Sequence, residues 1–273
     1  MPLDEYRQAN LENWNDRAGI HAESRMYDLA GYVANPGRLS ATVEFDRSKL
    51  GDVRGKSLLH LQCHIGTDTI SWSRLGASVT GVDFSDKAIS IARKLGIDTD
   101  ASARFEVAEL YETPKVISEQ FDVVYTGVGA LCWLPDIAEW ANVVSRMLKP
   151  GGTFYVRDFH PMLLAMDTDR NDDQLVVTYP YSGEQAFRFD SATTYTDGPA
   201  LKHRISYEWN HGIADTVTSL LDNGLQIVAL SEYPFAASQI MNCMVKQADE
   251  QWHLPQGDSL MPLMFSIKAT KPA

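Results

Sequence analysis

The stretch from Ser57 to Ser85 constrains the fold more than any other part of the chain. It opens with a short apolar run, Ser57–Leu61, that ends at a polar turn. Residues 67–75 then carry apolar side chains at helical spacing, and a second apolar run ends at Asp83. This order predicts a strand, a tight turn, a helix and a parallel strand. The turn offers backbone amides and Asp83 offers a ribose-binding carboxylate at one edge of the sheet, which predicts a nucleoside site.

A second signature follows between residues 121 and 158. Phe121–Thr126 (FDVVYT) is a β-branched and aromatic run typical of a buried central strand, and it ends at Gly127. The sequence continues with LPD, a helical segment from about Asp136 to Met147, LKPGG, and a further strand over Thr153–Asp158. Alternating strands and helices of this kind predict a doubly wound α/β fold.

In these two stretches the chain resembles the class I S-adenosylmethionine (SAM)-dependent methyltransferases. More narrowly, it is similar to the bacterial methyltransferase type 11-like group, in which the glycine-rich turn reads LQCHxG. The usual turn is an acid followed by Gly-x-Gly-x-Gly. Here His60 stands in the place of the acid, Gln62 and His64 replace two glycines, and Gly66 remains. Because Gln62 and His64 carry side chains, we expect their backbone to avoid positive φ angles.

The resemblance implies a Rossmann-like sheet of seven strands, six parallel and the last antiparallel, with an antiparallel β flap inserted after the fifth strand. We expect one structural domain in four parts. These are a helical cap over the cofactor (residues 1–50), a SAM-binding core (51–158), the flap over the substrate (159–209) and the rest of the core (210–273).

Within these parts the patterns predict particular elements. At the N-terminus we expect a helix from about Leu3 to Ala18, a loop over Gly31–Gly37 and a helix over Leu39–Leu50. The flap should contain four β-prone segments: Leu175–Tyr181, Gln185–Asp190, Ser191–Thr196 and Leu201–Trp209. The sequence predicts a sixth strand over Leu225–Glu232 and the antiparallel strand over Leu263–Thr270, whereas residues 241–255 predict only a helix or a loop.

The overall charge narrows the classes of partner. The net charge is −12, and no Lys/Arg-rich stripe opposes it, which favours a small-molecule substrate over a nucleic acid. The sequence has no run of eighteen apolar residues and begins with a polar segment, so we expect neither a membrane span nor a signal peptide. Three cysteines without metal-like spacing are consistent with the cytoplasm. A monomer and a homodimer both remain open.

The resemblance also implies which residues hold SAM. Trp14 and Arg17 lie three apart on the first helix, where Arg17 could pair with the methionine carboxylate; alternatively, Trp14 is core and Arg17 is a solvated surface charge. Glu109 occupies the place of the residue that accepts from the adenine amino group, although a loop carboxylate can also simply be solvated. The full expected set is Trp14, Arg17, Gln62, Cys63, His64, Gly66, Asp83, Phe84, Glu109, Leu110, Thr126 and Gly127.

Methyl transfer from a sulfonium requires alignment, exclusion of water and a nucleophile with a free lone pair. A general base is needed only when the nucleophile arrives protonated. His160 and His211 are the candidates, and for each the alternative is a histidine that ties down the backbone. Four aromatic residues could form a substrate slot or could simply be packing: Trp133, Tyr195, Tyr207 and Trp209. A metal site at His60, Cys63 and His64 is disfavoured because these side chains cannot easily converge on one ion.

The leading hypothesis is therefore transfer of a methyl group from SAM to an N or O atom of a small molecule by in-line displacement, with S-adenosylhomocysteine (SAH) as product. A SAM-binding sensor without transfer activity is one alternative. An NAD-dependent oxidoreductase is another, although the turn lacks Gly-x-Gly-x-x-Gly. An RNA or protein methyltransferase is disfavoured by the negative charge.

Overall fold

The computed structural model describes residues 4–273 and is built around a seven-stranded sheet. The helices are α1 (Glu5–Glu23), α2 (Leu29–Ala34), α3 (Ala41–Leu50), α4 (Thr67–Arg74), α5 (Asp86–Asp98), α6 (Thr113–Val116), α7 (Ile137–Met147), α8 (Pro161–Leu164) and α9 (Ile213–Asp222). The strands are β1 (Ser57–Leu61), β2 (Ser78–Asp83), β3 (Ala103–Val107), β4 (Phe121–Thr126), β5 (Leu148–Phe159), β6 (Phe187–Asp190), β7 (Ile205–Glu208), β8 (Gln226–Tyr233), β9 (Phe235–Ala236), β10 (Val245–Lys246), β11 (Trp252–His253) and β12 (Met264–Thr270).

The main sheet has the strand order β3-β2-β1-β4-β5-β12-β8. β1 pairs in parallel with β2 and β4, while β12 runs antiparallel to both β5 and β8. This arrangement confirms the predicted doubly wound sheet with one antiparallel strand. It also brings the carboxyl ends of β1, β2, β4 and β5 to one edge, where ligands bind in such sheets.

Side chains alternate along the central strands and so pack into a hydrophobic core on each face of the sheet. Leu59 and Leu61 pack on one face in a cluster with Trp140 of α7, whereas Leu58 packs on the other face with Trp72 of α4. A strand that is buried on both faces reads as a continuous apolar run, which is why β1 and β4 were recognisable. Within residues 4–273, none of the helices combines the length and hydropathy needed to span a bilayer.

The N-terminal elements differ from the predicted bounds. α1 extends to Glu23, five residues beyond the predicted end, and its predicted start at Leu3 lies outside the described residues. The predicted loop at Gly31–Gly37 is partly helical, because α2 covers Leu29–Ala34. The side chain of Asp28 accepts from the backbone of Gly31 and caps this short helix, a local signal that sequence analysis overlooked.

The inserted segment contains one antiparallel hairpin, β6 paired with β7, in place of four strands. Leu175–Tyr181 contributes only an isolated bridge between Met166 and Val177, and residues 191–196 are irregular. This region folds against α1 and the turn after it through side chains: Thr194 hydrogen-bonds His21 of α1, and the hydroxyls of Tyr195 and Tyr27, which lies in that turn, are 2.7 Å apart. Residues 241–255, predicted as a helix or a loop, instead contain β10 and β11, which pair with each other and form a small three-stranded sheet in the order β10-β11-β9.

Candidate active site

A cavity of about 1210 Å³ opens at the carboxyl edge of the sheet. We call its part over the ends of β1, β2 and β4 the cofactor lobe, with Arg17, Gln62, His64, Asp68, Asp83 and Glu109, and its apolar part the substrate lobe, with Phe45, Phe159, Met166, Ile240 and Trp252. Thirteen of the predicted residues line the cavity: Trp14, Arg17, Gln62, Cys63, His64, Asp83, Phe84, Glu109, Leu110, Gly127, Trp133, Tyr195 and Trp209.

The turn after β1 departs from our expectation about its backbone. Gln62 has φ 56° and His64 has φ 50°, so both side-chain-bearing residues adopt the left-handed conformation that glycine favours. Such a conformation costs about 1–2 kcal/mol per residue. Three contacts offset this cost: Gln62 Nε2 donates to the Ala130 carbonyl (2.9 Å), His64 N donates to Asp83 Oδ2 (2.9 Å), and the His64 ring meets His21 (2.8 Å). The turn therefore keeps a glycine-like shape without two of the glycines.

Gly66 is the glycine of this turn that packing requires. Its φ is 86°, and a Cβ atom at this position would lie 2.8 Å from the Cβ of Ala92 and 3.0 Å from the ring of Phe105. Gly66 does not line the cavity. Its role in the structure is to let α4 start close against α5 and β3.

Two carboxylates mark the expected nucleoside positions. Asp83, at the end of β2, accepts hydrogen bonds from the backbone of His64 and Ser85, and burial raises its pKa to about 6. Glu109 follows β3 and accepts from the backbone of Tyr111, with Arg7 at 3.4 Å. Burial raises the pKa of Glu109, and Arg7 opposes that rise. Both side chains face the cavity, consistent with hydrogen bonding to a ribose and to an adenine amino group.

Arg17 is a buried cation. Its Nε donates to Asn13 Oδ1 (2.6 Å), and its guanidinium lies over the rings of Trp14 and Trp133, 5.2 and 5.6 Å from their centroids. Among the described residues no carboxylate forms an ion pair with it, and burial lowers its pKa. Because a buried cation requires a compensating anion, Arg17 suits a ligand carboxylate.

His21 connects three segments around this lobe. Its Nδ1 lies 2.8 Å from His64 Nε2, and its Nε2 lies 2.7 Å from Thr194 Oγ1. Burial lowers the pKa of His21 to about 2 and that of His64 to about 3, so both rings are neutral. The link joins α1, the turn after β1 and the inserted segment. Sequence reasoning missed His21 because nothing in its local spacing distinguishes a histidine near a helix end.

The loop after β4 is fixed by Asp158 at the end of β5. This carboxylate accepts from the backbone amides of Gly129 (2.6 Å), Ala130 (3.1 Å) and Leu131 (2.9 Å). The loop carries Gly127 and Trp133 to the cavity, and Gln62 joins it to the turn after β1. Thr126 is fully buried within β4 and does not line the cavity.

Neither histidine proposed as a base faces this cavity. The Nδ1 of His160 accepts from the backbone of Met162 (3.1 Å) and so caps α8, while its Nε2 lies 3.1 Å from Glu232 Oε1. His211 donates from Nε2 to the Leu134 carbonyl (2.7 Å). Both arrangements correspond to the alternative interpretation, in which these histidines tie down the backbone, and a base must be sought elsewhere.

The hairpin strand β7 supplies a better candidate. Successive side chains alternate, so Ser206 and Glu208 line the cavity while Tyr207, predicted to face the substrate, packs against Tyr6 of α1 at 4.6 Å. Burial raises the pKa of Glu208 to about 7, with Arg17 opposing the rise. Sequence analysis followed the aromatic residues of this strand and missed its single carboxylate. The sequence did offer one signal: Glu208 lies two positions after Ser206 in a β-prone run, a spacing that places both side chains on the same face of a strand.

Comparisons with known proteins point to a methyltransferase. Residues 59–156 match the family model described as a methyltransferase domain. The ubiquinone biosynthesis O-methyltransferase of Hydrogenovibrio crunogenus is 25% identical over 171 residues, which cover 60% of this chain and 68% of that protein. The Bordetella bronchiseptica enzyme of the same name is 31% identical over 121 residues, 44% of this chain and 48% of that protein. The chain thus spans about half to two thirds of the length of these curated relatives.

Solved structures share the fold at low sequence identity. A SAM-dependent methyltransferase from Listeria monocytogenes, itself named as putative, superposes with a TM-score of 0.60 at 21% identity, covering 85% of this chain and 98% of that one. The geranyl diphosphate C-methyltransferase of Streptomyces coelicolor A3(2) gives a TM-score of 0.58 at 15% identity over 99% of this chain and all of that one. The matched methyltransferase domain, the seven-stranded fold and a cavity at the expected edge together support a class I SAM-dependent methyltransferase, an enzyme whose cofactor is SAM.

Proposed function

We propose that this protein transfers the methyl group of SAM to an N or O atom of a small molecule with an apolar body. The observation that carries the proposal is a single cavity that holds both the cofactor lobe and an apolar lobe, with Glu208 among the residues that line it. One cavity allows a donor and an acceptor to meet in line with water excluded.

The substrate lobe indicates the kind of acceptor. Its wall includes Phe45, Phe159 and Trp252, which contribute to an apolar cluster. Two of its cations are paired within the chain: Arg157 Nε lies 2.5 Å from Asp46 Oδ1, and Lys246 pairs with Glu250 at 2.6 Å. Because these cations are paired and the wall is mainly apolar, we infer an apolar or aromatic body for the acceptor.

SAM supplies a methyl group on a positively charged sulfur. The residues of this chain do the remaining work. Asp83 would hold the ribose hydroxyls and Arg17 the cofactor carboxylate, while the aromatic rings of Trp14 and Tyr195, which line the cavity, would help to exclude water. Glu208 takes the proton from the acceptor O–H or N–H, for which a pKa of about 7 is well matched to neutral pH.

The names of the relatives favour oxygen as the acceptor atom. The curated relatives described above are named as O-methyltransferases. An amine acceptor requires the same proton acceptor and remains an arm of the experiment.

The test has two stages. Calorimetric titration with SAM, SAH and NADH should show binding of both sulfur nucleosides and none of NADH. SAH release should then be followed with a panel of apolar phenols, alcohols and amines, using the wild type, Glu208→Gln and Glu184→Gln. We expect Glu208→Gln to lower turnover by about 100-fold or more while SAH affinity stays within about 2-fold.

Glu184 lies in the same inserted segment, is exposed and does not line the cavity, so its variant should match the wild type. Binding of NADH in place of SAH would contradict the proposal. SAH binding without transfer to any acceptor would favour a sensor protein instead.

A further inference from the structure

Asp68 is a cavity residue that the sequence did not single out. It is the second residue of α4, directly after the turn that follows β1, and its side chain lines the cofactor lobe. A Cβ atom placed on Gly127 would lie 3.5 Å from Asp68 Oδ2 and 3.4 Å from His60 Nε2. The carboxylate of Asp68 and the ring of His60 therefore reach the same point at the end of β4.

The charge of Asp68 has no dedicated partner in the described part of the chain. Ser40 hydrogen-bonds the carboxylate, and burial raises its pKa to about 6. Arg157 acts on Asp68 electrostatically, but its guanidinium is already paired with Asp46. His60 cannot supply a charge, because burial lowers its pKa to about 3. A buried carboxylate in this position is stabilised when a ligand brings a cation.

Arg17, which lines the same lobe, has the opposite need, because it is a cation without an ion pair in the described residues. The hydroxyl groups of Tyr27 and Tyr195, which also line the cavity, form a hydrogen-bonded pair, 2.7 Å apart. Arg17 lowers the pKa of Tyr195 and Asp68 raises it, so both charged groups act on this hydroxyl. A lobe lined by a cation and a carboxylate that each lack an ion pair fits a zwitterion, and the amino-acid end of SAM is one.

We propose that Asp68 is the residue that binds the α-ammonium group of SAM, opposite Arg17 at the cofactor carboxylate. The inference rests on SAM as the cofactor. It assigns a binding contact to a side chain of α4, which reaches into the lobe beside Gly127. The turn after β1 and Asp68, which follows it closely in the chain, then bind the cofactor together.

The experiment compares two ligands that differ only in the amino group: SAH and its deaminated analogue, an adenosyl thioether that keeps the carboxylate. Calorimetry with Asp68→Asn should show SAH affinity reduced by about 10- to 100-fold, since a charge-assisted hydrogen bond is lost. Affinity for the deaminated analogue should stay within about 2-fold of the wild-type value. SAM and SAH should weaken by the same factor, because both carry the ammonium group.

Two further variants serve as controls. Asp83→Asn should weaken SAH and the deaminated analogue equally, because Asp83 is assigned to the ribose. Asp98→Asn makes the same chemical change on an exposed helix residue outside the cavity and should leave both affinities unchanged. If Asp68→Asn does not fold, Asp68→Glu, which keeps the charge and misplaces it, should show the same selective loss.

Equal weakening of both ligands by Asp68→Asn, or no weakening of SAH, would overturn the proposal. A much larger loss for SAM than for SAH would also overturn it, since that result would place Asp68 at the sulfonium. A wild-type protein that binds neither SAM nor SAH would instead count against the cofactor itself, so the two failures are distinguishable.

Discussion

In the substrate lobe the buried guanidinium of Arg157 lies 2.5 Å from Asp46, and the same carboxylate accepts from the hydroxyls of Tyr125 and Tyr155. In the cofactor lobe the buried guanidinium of Arg17 lies over two tryptophan rings, and no ion pair joins it to a carboxylate of residues 4–273. Both arginines are nearly inaccessible to solvent, at 1% and 8% exposure. They differ in whether the chain itself supplies the counter-charge.

This difference indicates that the buried charge of Arg157 serves the fold, whereas that of Arg17 serves ligand binding. A buried ion pair satisfied within the chain serves the fold, and removing one partner is costly. A buried charge without a partner within the chain is tolerated because a ligand completes it, at the expense of stability in the empty protein. Arg17 is such a group, and Asp68 and Asp83 of the same lobe also lack an ion pair within residues 4–273, whereas the substrate lobe offers a mainly apolar wall. The comparison predicts opposite outcomes for matched substitutions in the two lobes.

The largest effect is expected from Arg157→Met. This change leaves Asp46 buried without its cation, and we expect a loss of about 3–5 kcal/mol in the free energy of unfolding. Urea denaturation measures it. Arg54→Met, which removes an exposed ion pair with Asp52, is the control and should leave the midpoint unchanged. A loss for Arg157→Met no larger than that of the control would show that the pair is not structural.

The matched change in the cofactor lobe is Arg17→Met. We expect SAH affinity to fall by about 10- to 100-fold, because the cofactor carboxylate loses its partner. The free energy of unfolding of the empty protein should stay unchanged or rise, since an uncompensated charge is removed. Calorimetry and urea denaturation of the same samples test both parts. Arg25→Met, an exposed change just beyond α1, should alter neither. Marked destabilisation by Arg17→Met would erase the difference between the lobes.

A smaller, pH-dependent effect is expected from Glu208→Gln. Burial raises the folded-state pKa of Glu208 to about 7, so its stabilising contribution is complete below the unfolded value near 4.5 and is lost as pH rises through 7. The glutamine variant should therefore match the wild type at pH 4, below the unfolded value, and exceed it by about 1–3 kcal/mol at pH 8. Urea denaturation at both pH values measures this difference. A difference that does not grow with pH would contradict the assignment.

The smallest effect is expected from Gln62→Gly. Glycine relieves a left-handed backbone worth about 1–2 kcal/mol but loses the hydrogen bond to the Ala130 carbonyl, worth about 1 kcal/mol, and adds freedom to the unfolded chain. The free energy of unfolding should change by less than about 1 kcal/mol. Thermal and urea denaturation measure it. A large loss would mean that the Gln62 side chain, rather than the shape of the turn, holds the loop after β4.

Sequence reasoning went furthest where the pattern was local. The apolar runs of β1 and β4, the LKPGG segment before the main part of β5 and the position of Asp83 were all predicted, and the resemblance predicted seven strands with the last antiparallel. It was less successful in the inserted segment, where four β-prone runs yielded one hairpin. In that segment hydrogen bonds to side chains of α1 and of the turn after it replace strand pairing, and no local pattern predicts a partner about 170 residues away.

In the candidate site, too, local sequence patterns predicted some features and packing between distant segments decided the others. The sequence by itself determined that a turn and an acid would meet at the carboxyl edge, because strand and helix periodicities fix where each element ends. Only the tertiary structure decided which side chains face the cavity. Because side chains alternate along β7, Glu208 faces the cavity and Tyr207 faces away from it. His160 caps α8. Contacts with residues distant in sequence hold Gln62 and His64 at positive φ. Those outcomes depend on packing between segments far apart in the chain, which residue spacing does not encode.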